Sequence, residues 1–203
     1  MMPEKRIVLA GGCFWGMEKL LRSLPGVLDA TVGYANGDSE AHASYQIVCT
    51  GLTGFREAVR VTYDADVISL RHLLFVFFAA VDPTQYHRQG ADIGSQYQSG
   101  IYWIDPEDAE TVRAVAAIEA APRRDFCTEL KPLENFYSAE EYHQRYLEKN
   151  PGGYCHISPA TNAMLAAWDY DDAAYTRPAA VIVQEKLDAL RRAETLRELG
   201  YTE

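Results

Sequence analysis

The sequence predicts an α/β protein: an α+β sandwich with a ferredoxin-like, split βαβ core, carrying additional loops and helices towards its C-terminus. Three observations predict it. Short apolar runs with strand character alternate with segments whose apolar residues recur at helical spacing, giving the order βαββαβ through residue 104. Turn residues punctuate the junctions at Pro25-Gly26, Asn36-Gly37 and Asp82-Pro83. The composition, 48% hydrophobic and 24% charged over 203 residues, is enough for a sizeable core.

Each element follows from its residues. Arg6 to Ala10 reads as a short buried strand. Gly11-Gly12 then leads into a helix marked by Phe14, Met17, Leu20, Leu21 and Leu24, which Pro25-Gly26 stops. Val27 to Tyr34 reads as a second strand. Glu57 to Tyr63 alternates apolar and polar residues, as a half-buried strand does. Ile68 to Val81 is an apolar helix ending before Asp82-Pro83. Gln96 to Ile104 is strand-like, Glu107 to Ala121 is an Ala-rich helix, and Phe126 to Leu130 reads as a further strand. Ser138-Ala139-Glu140-Glu141 has the form of a capping box, opening a helix to about Lys149. After Pro159 the composition shifts to Ala, Asp and Arg. Val183, Leu187, Leu190 and Leu196 mark an amphipathic terminal helix. The expected division is a catalytic domain over 1–160 and an extension over 161–203 whose helix packs on it.

Charge and cysteine usage narrow the function. A net charge of −10 argues against nucleic acid or an anionic membrane as partner. The longest apolar stretch, Leu73 to Val81, is too short to span a bilayer, and Ile7 to Ala10 is too short for a signal core. A cytoplasmic location is expected. The four cysteines, Cys13, Cys49, Cys127 and Cys155, form no CxxC pair and no zinc-ligand spacing with histidine, so neither metal nor cofactor is expected.

Gly11-Gly12-Cys13-Phe14-Trp15-Gly16 carries the most chemistry. Cys13 falls at a helix N-terminus, where free amides and the dipole favour a thiolate, so its pKa is expected below the free value of about 8.5. The spacing matches neither phosphate-loop pattern. Phe14 and Trp15 could form an apolar slot beside the thiol, or belong to the core. Glu57, taken alone, reads as a solvated strand-start residue; in an aromatic pocket it would become a general acid. Tyr45 and Tyr97 offer hydroxyls for a polar oxygen, and Asp92 sits in a polar, Gly-containing loop as a turn residue. Cys155 ends a turn-rich stretch, Asn150-Pro151-Gly152-Gly153-Tyr154, of the kind that can carry one thiol to another. Cys49 and Cys127 read as buried fillers.

Together these segments resemble the peptide methionine sulfoxide reductases of the A type. Gly11 to Gly16 matches the signature, and Ser44 to Gly51 with Thr53, Gly54 and Glu57 matches a second block. Asp82-Pro83-Thr84, Arg88-Gln89-Gly90 and Asp92 to Tyr97 match a third, and Ala139 to Gln144 and Asn150 to Cys155 close the set. The resemblance spans roughly residues 5 to 157. It implies Cys13 as nucleophile, Glu57 as the acid protonating the sulfoxide oxygen, and Tyr45 and Tyr97 as hydrogen-bond donors to that oxygen. Phe14 and Trp15 would hold the S-methyl group, Asp92 would support the site, and Cys155 would resolve a sulfenic acid formed on Cys13. The implied substrate is the S epimer of methionine sulfoxide, free or in oxidised proteins, with thioredoxin as reductant. Phe55, His87 and Ala91 depart from the family's usual residues, which touches pocket polarity. No cysteine follows Cys155, so a three-cysteine relay is not expected. A cysteine hydrolase, pairing Cys13 with one of His42, His72, His87, His143 or His156, and a non-catalytic peptide-binding module are the other readings.

Overall fold

The computed structural model describes residues 4–198. Eight strands and seven helices follow one another as β1 (Glu4–Ala10), α1 (Phe14–Arg22), β2 (Val27–Ala35), α2 (Tyr45–Val48), β3 (Arg56–Asp64), α3 (Leu70–Ala80), β4 (Arg88–Gln89), β5 (Asp92–Ile93), β6 (Gly100–Trp103), α4 (Asp108–Ala120), β7 (Glu129–Pro132), β8 (Phe136–Ser138), α5 (Tyr146–Lys149), α6 (Pro159–Ala166) and α7 (Ala179–Glu198). The main sheet has the order β7-β6-β1-β3-β2-β8; β4 and β5 form a separate hairpin. The inner neighbours are antiparallel, and β7 joins β6 in parallel, so the sheet is mixed. The units β1-α1-β2 and β3-α3-β6 interleave, each split by a strand of the other. The α/β class is as expected.

Alternation along β1 explains the layering. Ile7 and Leu9 face the main core with Val59 and Val61 of β3 and the buried residues of α1, α3 and α4. Val8 and Ala10 face the other way, onto Ala58, Tyr102, Leu133 and Phe136. Because β1 and β3 are antiparallel with Leu9 opposite Val59, Glu57 falls beside the turn that follows Ala10, on the helix side of the sheet.

Three expectations are corrected. Ser138 does not open a helix: it ends β8, and helical structure begins only at Tyr146. Two side chains of this segment are used elsewhere. Glu140 accepts from Tyr34 and from the amide of Tyr45, while the Gln144 amide bridges Val32 N and O. Arg145 adopts a left-handed φ of +51°, which breaks any run through it. Within 96–104, only Gly100–Trp103 is strand, because the buried Gln98 side chain ties His87 N to Cys127 O across two loops. The strand expected at Phe126–Leu130 lies later, at Glu129–Pro132, since Cys127 N bonds Pro83 O instead of the sheet.

The segment after residue 160 shares the core. Tyr175 and Ala179 are buried, and both donate to the fully buried carboxyl of Glu119 on α4, at 2.9 and 2.7 Å. The Tyr175 ring packs edge-on against Phe75 of α3. Val183 is buried and Leu187 half-buried, as an amphipathic helix requires, but Leu190 faces solvent. The side chain of Leu196 lies outside the described residues. No helix among the described residues is long and apolar enough to cross a membrane.

Candidate active site

Cys13 is the N-cap of α1. Gly12 turns the chain into that position with φ +86°, and a Cβ there would strike the Gln89 side chain at 2.6 Å, so only glycine fits. The thiol is 7% exposed. Glu57, 2% exposed, reaches the same helix end: its Oε2 accepts the Phe14 amide at 3.1 Å, satisfying one of the helix's free donors. Burial pushes the Glu57 carboxyl up to about 8, with the Asp92 charge adding and the Phe14 amide opposing. The carboxyl is therefore protonated at neutral pH. A solvated strand-start glutamate is not what the fold makes of it.

The expected low pKa for Cys13 is not found in the empty site. Burial, and then the Glu57 charge, push the thiol well above its ordinary range, against the downward pull of the Trp15 and Gly16 amides. The helix dipole is outweighed by desolvation. The contribution of Glu57 operates only above about pH 8, where that carboxyl is ionised.

An aromatic wall completes the pocket. Trp15 stacks on Tyr146, and its indole N–H donates to His143 Nδ1 at 3.0 Å. That bond places the imidazole proton on Nε2. His143 is buried among Phe14, Tyr45 and Tyr142, and burial holds its pKa down. Burial above all keeps the phenols of Tyr45 and Tyr97 firmly protonated, so both can act as hydrogen-bond donors. Glu140 pins the Tyr45 amide at 2.9 Å and the Tyr34 hydroxyl at 2.7 Å. Tyr146 and Tyr34 were not singled out from the sequence, Glu140 entered only as part of the capping box, and His143 only among the histidines open to a hydrolase. Three of them lie in the segment read as one helix to about Lys149, where an inward His would pass for core.

Asp92 opens β5 of the β4-β5 hairpin and accepts from the Tyr154 hydroxyl at 3.1 Å, which ties the hairpin to the loop bearing Cys155. The half-buried Cys155 thiol donates to Ile157 O at 2.9 Å beside Gly16. Cys49 is exposed, contrary to expectation: it caps α2, a surface turn whose one buried residue is Val48. Cys127 is half-buried, with its thiol directed at Pro83 O. All four cysteines are free. Phe55 packs between Tyr34 and Tyr137, beneath Gly37. His87 stacks on Tyr86, and Ala91 is exposed. Among the described residues no group of three or more His, Cys, Asp or Glu side chains could hold a metal ion.

Set beside known proteins, residues 5–171 match the family model described as peptide methionine sulfoxide reductase. The chain is 50% identical over 154 residues to a peptide methionine sulfoxide reductase MsrA of Clostridium perfringens, covering 75% of this chain and 98% of that one. The crystal structure of reduced Mxr1 from Saccharomyces cerevisiae superposes with a TM-score of 0.71 at 42% identity, over 76% of this chain and 91% of the yeast chain. The same yeast protein in complex with Trx2 matches with a TM-score of 0.50 at 31% identity, over 70% and 84% of the two chains. With a family match across most of its length and a relative half identical to it, the chain belongs to the peptide methionine sulfoxide reductase family.

Proposed function

We propose that this chain reduces the S epimer of methionine sulfoxide, free or within oxidised proteins, with Cys13 as nucleophile and Glu57 as acid. The observation that carries the reading is the bond from the Phe14 amide to Glu57 Oε2, which holds a protonated carboxyl at the helix end that bears the thiol. A sulfoxide has an electrophilic sulfur and a poor leaving oxygen, so attack and protonation must coincide. The sulfur of Cys13 bonds to the substrate sulfur while Glu57 protonates the oxygen. The oxygen passes to Cys13, the proton of the thiol replaces that given by Glu57, and the products are methionine and a sulfenic acid. Tyr45 and Tyr97 donate to the oxygen as its charge develops. Phe14 and Trp15 hold the methyl group, and holding both substituents of a chiral sulfur selects one epimer.

Asp92 supports the site through Tyr154 and the hairpin. Cys155 condenses with the sulfenic acid, releasing water and forming a Cys13–Cys155 disulfide. A thioredoxin then reduces that bond; the yeast relative solved with Trx2 supports this choice of partner. The scheme uses neither metal nor cofactor. Four free thiols accord with a reducing, cytoplasmic setting. A cysteine hydrolase would bond an imidazole to the nucleophile, and no such bond to Cys13 is made among the described residues.

Mass spectrometry after incubation with a racemic methionine sulfoxide peptide, without reductant, tests the reading. One equivalent of methionine from the S epimer is expected, with Cys13 and Cys155 joined. Substantial turnover by Cys13→Ser would sink it.

A further inference from the structure

His156 has no part in the sulfoxide chemistry above, yet it is built into the same corner of the molecule. Its Nε2 lies 3.1 Å from the carbonyl oxygen of Gly11. A carbonyl only accepts, so Nε2 carries the proton. Burial keeps the pKa of the ring below its ordinary value, against the Asp92 carboxylate of β5 and the Gly11 contact, which act the other way. The ring is therefore neutral, with its lone pair on Nδ1. That Nδ1 is buried and has no hydrogen-bond partner. An unpaired buried acceptor costs roughly 1–3 kcal/mol, so its retention calls for a reason.

The surroundings supply one. A Cβ built on Gly16 would lie 2.8 Å from His156 Nδ1 and 3.3 Å from Cys155 Sγ. The lone pair and the thiol therefore flank one gap beside the first turn of α1, the turn that Cys13 caps. A Cβ on Gly16 would be too close to this ring, whereas one on Gly12 would meet Nε2 only at ordinary contact distance, 3.6 Å, so Gly16 is the glycine of the hexapeptide that makes room for it. In the resting structure the thiol proton is given to Ile157 O.

The geometry points to His156 as the general base of the resolving step, in which the Cys155 thiol displaces hydroxide from the Cys13 sulfenic acid. The inference rests on the reading of Cys13 as nucleophile and Cys155 as resolving thiol. Sγ of Cys155 turns from Ile157 O towards the gap, and Nδ1 takes its proton. The S–S bond forms as the S–O bond of the sulfenic acid breaks. The departing hydroxide takes the proton from Nδ1 and leaves as water. The Cys155 sulfur is oxidised and the sulfenic sulfur reduced, so no outside oxidant or reductant enters. The titratable groups beside the ring are Asp92 of β5 and Cys155.

The test uses the full chain with a methionine sulfoxide peptide and no reductant. Methionine, dimedone-trapped sulfenic acid and the disulfide are followed separately. His156→Gln keeps a donor for the Gly11 carbonyl but has no basic lone pair. Disulfide formation is expected to slow by about 10²-fold, the lower end of general-base effects, while methionine formation slows far less and sulfenic acid accumulates. The wild-type disulfide rate should level off above the imidazole pKa; that of His156→Gln should keep climbing as hydroxide replaces the base. Added imidazole should partly restore His156→Gly. A disulfide rate within a few-fold of wild type would overturn the proposal. So would equal slowing of both steps, or slowing with an unchanged pH profile and no rescue by imidazole. Absence of methionine with the wild-type chain would instead remove the reading of Cys13, which separates the two failures.

Discussion

The indole of Trp15 lies flat on the ring of Tyr146, with centroids 3.7 Å apart and planes 11° apart. With its N–H also held by His143, the indole cannot turn without losing a stacked partner and a hydrogen bond. The proposed methyl slot is thus set before any substrate arrives.

Trp15→Ala should therefore act mainly through binding. A lost apolar wall in a pocket of this kind is worth about 1–3 kcal/mol, so KM should rise roughly 10- to 200-fold with a smaller change in kcat. Tyr146→Leu should follow in the same direction, because the indole loses its platform. Steady-state kinetics on a sulfoxide peptide would decide it, and an unchanged KM in Trp15→Ala would remove Trp15 from the slot.

Glu57→Gln keeps an acceptor for the Phe14 amide but cannot deliver a proton. The single-turnover rate should fall by about 10² to 10⁴-fold. The wild-type rate needs the protonated carboxyl, so it should decline as pH rises through about 8. The variant should lack that decline. Stability has the same sign. A carboxyl whose folded pKa is raised contributes stability below its unfolded value of about 4.5, and that stability is lost as pH climbs through about 8. Urea melts of Glu57→Gln should be flatter across this window than those of wild type.

Cys155→Ser should release one equivalent of methionine and stop, leaving Cys13 as a sulfenic acid. Thioredoxin-driven turnover should be lost, and a small dithiol should restore part of it. Peptide mapping of oxidised wild type should leave Cys49 and Cys127 free. Exposed Cys49 makes this a demanding check, since access alone would favour it. A Cys13–Cys49 bond would displace Cys155 from its role.

Glu119→Ala should destabilise the whole chain by about 3–5 kcal/mol, the cost of breaking a buried pair. It strands Arg123, the Tyr175 hydroxyl and the Ala179 amide together. Denaturant titration should show one transition moved to lower urea. A separate early transition, with the bulk unmoved, would mean that residues 161–198 melt as an independent unit.

Much of this was legible beforehand because the signals were local. The strand-to-helix turn at Cys13 follows from Gly11-Gly12 and the helical spacing after Phe14, and the interleaved strands follow from apolar periodicity. What escaped depended on partners distant in sequence. The burial of Glu57 comes from the register of β1 against β3, which no window around residue 57 contains. The elevated pKa of Cys13 comes from desolvation by the assembled pocket. The missing helix at 138–145 is lost because Glu140 and Gln144 are drawn to β2 and α2, and Gln144 also holds Ala139 O outside any helical pattern. Cys49 looked buried among Ile47 and Val48, but α2 is too short to have an inner face beyond Val48.

The bond between the Phe14 amide and Glu57 also bears on tolerance to change. The thiol is carried by a helix and the acid by a strand, two layers that could drift apart as core residues are exchanged over generations. A single amide, one residue from the thiol, registers the acid to the helix end. Exchanges at Met17, Leu20 or Val61 that shift α1 over the sheet therefore drag acid and nucleophile along as a pair. The core can be rewritten piece by piece while the gap that must fit a sulfoxide stays the same width.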